Sequence, residues 1–175
     1  MLTRSIVLIG LTGSGKTTVG KRLSKQLDCP FVDTDDVVSE STGLAVREIF
    51  QRNGEPAFRA LETSALEGIL ADATPKVIAA AGGTILAEQN RRSIQNSNSD
   101  VIWLDAEPKN LLKRISIGSH RPLLDDNPVA TLMEMSAERR GLYAELADLR
   151  VDANGRDINR IVKIVFDFVT ERGVS

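Results

Sequence analysis

The sequence predicts an α/β fold in three layers, with a five-stranded parallel sheet covered by helices on both faces. Two observations carry this expectation. Short apolar runs alternate with helix-period segments along all 175 residues, and the first apolar run passes through a glycine-rich loop directly into an amphipathic helix. The first strand is expected over 5–9, where Ile6, Val7, Leu8 and Ile9 are consecutive. A helix over 16–27 follows, with Val19, Leu23 and Leu27 as its buried stripe. A short strand over 31–32 leads to helical stretches at 36–41 and 46–53 and then to a helix over 56–71. The remaining strands are expected at 77–81, 101–104 and 149–151, with helices at 88–96, 108–117, 129–147 and 158–172. Pro122 and Pro128 mark a loop between two of these helices. Crossovers between parallel strands are right-handed. Ligands on such sheets gather at the carboxyl ends of the strands, where Gly10, Asp33, Gly82 and Asp105 all fall.

Gly10, Gly15, Lys16 and Thr17 complete a G-x-x-x-x-G-K-T phosphate loop between the first strand and the first helix. Its glycines let the backbone fold around phosphates with N–H groups pointing inward. Lys16 can reach the β- and γ-phosphates, and the Thr17 hydroxyl can ligate Mg²⁺. A nucleoside triphosphate is therefore expected against Gly13, Ser14, Gly15, Lys16, Thr17 and Thr18. Asp33 and Asp35 follow the second strand two residues apart, so their carboxylates can point to the same side of an extended backbone. One can hold the Mg²⁺ shell while the other faces an acceptor hydroxyl. The same residues, with Asp36, read equally well as the cap and first turn of the next helix. Asp105 is a second acidic strand end, ranked below Asp33 because an Asp after an apolar run is common in buried strands.

Composition narrows the function classes. The 22 basic and 24 acidic residues nearly cancel, so no broad basic field attracts nucleic acid. No apolar run approaches the ~18 residues of a membrane span, and the opening residues commit directly to the first strand, so a cytoplasmic protein is expected. Cys29 and His120 are the only residues of their types, which excludes an intramolecular disulfide and a thiolate or imidazole zinc site. Any metal must be held by oxygen. An apolar fraction of 42% suits one domain over 1–175 with its own core.

Beyond the loop stand Asp33-Thr34-Asp35, Ile49-Phe50 with Gly54-Glu55 and Phe58-Arg59, Gly82-Gly83, Arg121-Pro122-Leu123-Leu124, and Arg139 four residues before Tyr143. In order and spacing, from Gly10 to about Arg156, the chain resembles the shikimate kinases. The resemblance implies a nucleoside-monophosphate-kinase-like P-loop fold, a helical substrate-binding insertion at 36–62, a lid at 114–128 and a monomer. It implies transfer of the γ-phosphate of ATP to the 3-hydroxyl of shikimate with Mg²⁺. Asp33 would join Thr17 in the metal shell, and Asp35, Arg59, Gly82 and Arg139 would contact shikimate. Arg121 would sit in the lid over the phosphates, with Arg114 and Arg156 near the adenine. Lys16, Asp35 and Arg121 would form the catalytic group. Two positions depart from the family pattern. Ala81-Gly82-Gly83 replaces three glycines, which puts a β-carbon near the acceptor if Ala81 points inward, and Gly141 stands where proline usually precedes the Leu-Tyr pair.

The chemistry of such an acceptor agrees with these residue types. Shikimate carries a carboxylate and three ring hydroxyls; Arg59 and Arg139 can supply planar cationic forks, and Asp35 can accept from a hydroxyl. A carboxylate with an unperturbed pKa of ~3.9 is a weak base for an alcohol, so Asp35 is expected to orient the hydroxyl and take its proton late. Positioning and charge neutralisation by Mg²⁺, Lys16 and Arg121 would carry most of the acceleration. Each residue also has an ordinary reading. Arg59 stands four residues after Glu55 and three before Glu62, as in a surface ion pair, and Arg139 lies among Glu138 and Arg140, as on a solvated helix face. Competing functions are a kinase for another hydroxy acid such as gluconate and a nucleoside monophosphate kinase, which Asp35 beside the acceptor disfavours. A nucleotide switch would carry an N-K-x-D segment, absent from this sequence, and a catalytically inactive nucleotide-binding module would lack one of Lys16, Thr17 or Asp33.

Overall fold

A computed structural model of the chain describes residues 2–115, 127–155 and 157–172. Five strands form one parallel sheet in the order β2-β3-β1-β4-β5. The central strand β1 (Ser5–Ile9) is buried from Ile6 to Ile9, which is why its sequence is continuously apolar. It pairs with β3 (Val77–Ala79) on one side and β4 (Ser99–Asp105) on the other, with Val7 in register with Ile78 and Val101. The short strands β2 (Phe31–Asp33) and β5 (Leu149–Asp152) complete the two edges.

Seven helices are present among the described residues: α1 (Lys16–Leu27), α2 (Thr34–Thr42), α3 (Val46–Ala71), α4 (Glu88–Asn96), α5 (Pro108–Ile115), α6 (Pro128–Leu146) and α7 (Ile158–Arg172). Helix α1 packs against α7, α3 against α4, and α5 against α6. The main core joins the central strands to Val19 and Leu23 of α1, Leu66 of α3, Leu132 of α6, and Ile161 and Val165 of α7. Val38, Ile49 and Phe58 form a separate small cluster between α2 and α3, with the Phe50 and Phe58 rings 4.6 Å apart. No helix among the described residues is long and apolar enough to cross a membrane.

Most boundaries differ from the sequence reading by one or two residues, and three of the differences have clear local reasons. Strand β3 ends at Ala79, not at 81, because the Ala81 N–H is taken by the Thr34 hydroxyl at 2.9 Å and the chain then turns through Gly82-Gly83 into a 3-10 turn at Thr84–Leu86. Helix α2 starts at Thr34, two residues early, since the Asp33 carboxylate caps it by accepting from the Asp35 N–H at 3.1 Å. The expected helices at 46–53 and 56–71 are one element, α3, bent at Gly54, whose φ of 78° and ψ of 173° interrupt the helical backbone. The expected lid at 114–128 falls largely on 116–126, outside the described residues, while Arg114 belongs to α5 and Asn127 caps α6 through the Ala130 N–H.

Candidate active site

The phosphate loop lies between the end of β1 and the start of α1, as the run of apolar residues into glycines requires. Gly15 adopts a left-handed conformation at φ 99° and leaves the helix N-terminus without a side-chain cap, and no acidic residue occupies the first turn. The first N–H groups of a helix have no acceptor within it, so this end presents donors and a partial positive charge to an anion. Ser14 Oγ and Thr12 Oγ1 are buried in the same loop without a hydrogen-bond partner. Lys16 folds back, its ammonium donating to the Gly10 and Leu11 carbonyls at 2.8 and 2.9 Å. This donor set fits a polyphosphate: uncapped amides, orphaned hydroxyls and one ammonium, with no competing carboxylate in the turn.

Facing the loop, Asp33 caps α2, as one of its two sequence readings expected, and also meets the loop threonine. One carboxylate oxygen accepts from the Thr17 hydroxyl at 2.7 Å while the other caps α2. A carboxylate held on the loop threonine suits a hard divalent cation through oxygen ligands. No cluster of three or more His, Cys, Asp or Glu residues forms a metal cage among the described residues. Gly13, Gly15, Lys16, Thr17, Thr18, Asp33 and Asp35 line one open cleft of about 530 Å³, together with Ala81 and Arg114. Arg114 reaches it from α5, anchored by a 2.8 Å bond from its guanidinium to the Ala153 carbonyl. Arg121 and Arg156 lie outside the described residues.

The second half of the site is built around Gly82-Gly83. Arg59 pairs with Glu55 at 2.9 Å and with Glu62, as its spacing suggested, yet this is no surface pair: Glu62 is 1% exposed and also accepts from the Thr84 hydroxyl at 3.4 Å. The guanidinium lies flat against Gly83, where an added β-carbon would stand 2.6 Å from Arg59 Cζ. Burial pushes the Glu62 carboxyl above the usual range, and the adjacent Arg59 offsets this only in part.

The solvated-face reading of Arg139 is overturned, because the residue is 6% exposed and a β-carbon on Gly82 would lie 3.7 Å from its Nη1. Its Nε has no hydrogen-bond partner, the Glu138 carboxylate standing 3.6 Å away. The exposed charges on this turn are its neighbours Glu138 and Arg140. Tyr143, one helical turn on, donates its hydroxyl to the Gly82 carbonyl at 2.7 Å. Burial drives the Tyr143 phenol far above its ordinary pKa, with Arg139 and Arg59 pulling it back, so it is a neutral donor with both arginines close by.

The cleft thus opens on the glycine-rich loop, and beyond Ala81 at its edge two arginines converge on the adjacent glycines Gly82 and Gly83. Asp105 takes no part in lining it: the carboxylate is 5% exposed and gripped by Arg140 and Arg150. Glu62 and Tyr143 were missed as functional supports, although spacings of three and four residues to Arg59 and Arg139 pointed to both.

The family model described as shikimate kinase matches residues 12–170. A shikimate kinase of Francisella tularensis subsp. holarctica is 39% identical over 175 residues, covering 98% of this chain and 98% of its own. The structure of a shikimate kinase from Acinetobacter baumannii in complex with shikimate superposes with a TM-score of 0.92 at 29% identity, over 98% of this chain and 96% of that one. A gluconokinase from Sinorhizobium meliloti shares the fold alone, with a TM-score of 0.65 at 20% identity over 97% of this chain and 93% of its own. With a parallel sheet, a phosphate loop and two converging arginines already in place, and with the family model matched along nearly its whole length, the chain belongs to the shikimate kinase family.

Proposed function

We propose that this chain transfers the γ-phosphate of ATP to the 3-hydroxyl of shikimate, releasing shikimate 3-phosphate and ADP. The observation that carries this reading is the convergence of the Arg59 and Arg139 guanidiniums on Gly82-Gly83, beside a cleft that Asp35 and Lys16 share. Two buried or half-buried guanidiniums at adjacent glycines offer planar donors to a small carboxylate, and the missing side chains let a ring approach the backbone. Asp35 accepts from a ring hydroxyl and holds it toward the phosphates, a role supported by its position in the first turn of α2 on the lining of the cleft. The loop amides and Lys16 hold the β- and γ-phosphates, so Lys16 must leave the Gly10 and Leu11 carbonyls when the nucleotide enters. On the family pattern Arg114 and Arg156 serve the adenine and Arg121 the phosphates, Arg121 and Arg156 lying outside the described residues.

Thr17 and Asp33 are the groups that would hold Mg²⁺, which when bound supplies charge neutralisation to the phosphates. Residues 36–62, with their own Val38–Ile49–Phe58 cluster, act as the substrate-binding insertion; the lid role of 114–128 rests on the family pattern alone, most of it lying outside the described residues. We read the protein as a cytoplasmic monomer.

The test is a coupled assay of ADP release with shikimate, quinate, gluconate and nucleoside monophosphates, with and without a chelator, and product identification by phosphorus NMR. Shikimate should give the highest kcat/KM and a 3-phosphate product, with turnover lost on chelation. Equal turnover of gluconate would sink the acceptor assignment, and ADP release independent of any acceptor would sink the transfer reaction.

A further inference from the structure

Asp105 is a buried acid at the carboxyl end of β4 that the reaction does not use directly. Arg140 of α6 donates to it through both Nη atoms, at 3.0 and 2.9 Å, and Arg150 of β5 donates through Nε at 2.8 Å. The two guanidiniums also lie over the Trp103 ring, their Cζ atoms 5.2 and 4.9 Å from its centroid. Trp103 in turn stacks on Tyr143 at 5.8 Å, and Tyr143 holds the Gly82 carbonyl. Helix α6 is therefore attached at two points about one turn apart, one through Arg140 to the sheet and one through Tyr143 to the glycine turn. Arg139 immediately precedes the first of these points and lies one turn before the second; it is buried, with only the Glu138 carboxylate 3.6 Å from its Nε.

We propose that Asp105 and Arg140 are positioning residues for the acceptor half of the reaction. A bidentate carboxylate–guanidinium pair fixes orientation as well as distance, so the pair sets the rotation of α6 about its axis. That rotation decides whether Arg139 points at Gly82 or swings toward solvent. The proposal rests on the reading of Arg139 as a partner of the acceptor's carboxylate. Arg150 keeps Asp105 satisfied when Arg140 is changed, so an Arg140 variant loses the tie to α6 without leaving a bare buried charge.

The experiment measures KM for shikimate, KM for ATP and kcat in wild type, Asp105→Asn and Arg140→Met, the methionine keeping apolar cover over Trp103. Misaiming one arginine should raise the shikimate KM on the order of tenfold, leaving the ATP KM within about twofold. Trp103 is the chain's single tryptophan, so its fluorescence follows this cluster. Shikimate titration should change its emission, with the midpoint moved to higher concentration in both variants, and Asp105→Glu should recover part of the shift. An unchanged shikimate KM in both variants, or a parallel rise of both KM values, overturns the proposal even if the melting temperature falls. A wild-type enzyme that fails to turn over shikimate overturns the functional reading first and this proposal with it.

Discussion

Glu62 keeps its carboxylate at 1% exposure, with Arg59 on one oxygen and the Thr84 hydroxyl on the other. Burial disfavours the charged form and raises the pKa above the usual glutamate range; Arg59 offsets part of that, and the nearby Asp35 charge adds to it. Glu62 therefore takes up a proton at a higher pH than a solvated glutamate. Once neutral, it no longer holds Arg59 as an ion against Gly83. The shikimate KM should rise as the pH falls toward the ordinary carboxylate range, with the ATP KM flat over the same interval. Stability moves in the opposite sense. The native state binds this proton more tightly than the unfolded chain, so the group's contribution to stability is fully present at low pH and is lost as the pH rises through its native pKa. Weakened acceptor binding is then separable from acid unfolding. Kinetics of wild type and Glu62→Gln between about pH 5 and pH 7 check this: the variant should bind shikimate more weakly at neutrality and show a flat profile. A variant slope equal to the wild-type slope would remove Glu62 from the account.

At the scale of an element, α3 shows how backbone conformation reaches the site. Gly54 sits at φ 78° and ψ 173°, a region essentially closed to residues with a β-carbon. An added methyl would meet nothing nearer than Pro56 Cδ at 3.7 Å, so the cost of Gly54→Ala is backbone strain alone. That cost is about 1–3 kcal/mol, at about 2–4 °C of melting temperature per kcal/mol for a chain of this length. Arg59 and Glu62 lie beyond the bend, and the Val38–Ile49–Phe58 cluster spans it, so a straightened α3 carries both away from Gly83. Thermal melts and steady-state kinetics should show a lower melting temperature and a higher shikimate KM, with ATP KM unchanged. A variant matching wild type in both would show that the bend is dispensable. The break itself was legible, because Gly54 and Pro56 interrupt the apolar period; that α3 remains one element through it was not. The burial of Arg59 and Arg139 was equally hidden. Charge spacing on a helix reads the same whether the face meets water or another segment, and here that segment is the Gly82-Gly83 turn more than twenty residues from one arginine and more than fifty from the other. The phosphate loop needed no such distant partner, which is why it was readable outright.

Across the whole molecule, β4 carries a gripped acid near each end, Asp100 and Asp105, separated by about 17 Å of extended chain. Asp105 faces the end of the sheet that builds the site. Asp100, 2% exposed, lies at the opposite end between Arg4 at 3.4 Å and Arg172 at 3.3 Å, and Arg172 also reaches Asp148 at 3.5 Å. This second cluster joins the segment before β1, the start of β4, the turn before β5 and the last turn of α7, so it closes the sheet without touching the cleft. Burial raises the Asp100 pKa and the two arginines lower it, which marks the pair of cations as the condition for keeping that charge inside. Arg172→Ala removes one of them and leaves Arg4. Because both arginines are about 40% exposed and partly screened, the loss should be on the order of 1 kcal/mol, not the larger penalty of a fully buried pair. The melting temperature should fall by a few degrees, roughly 2–4 °C per kcal/mol, while kcat and both KM values stay at wild-type levels. Paired with Asp105→Asn at the other end of the same strand, the substitution separates stability from aim. A shikimate KM raised as much by Arg172→Ala as by Asp105→Asn would mean that the two ends of β4 are mechanically coupled and that the site senses the whole sheet.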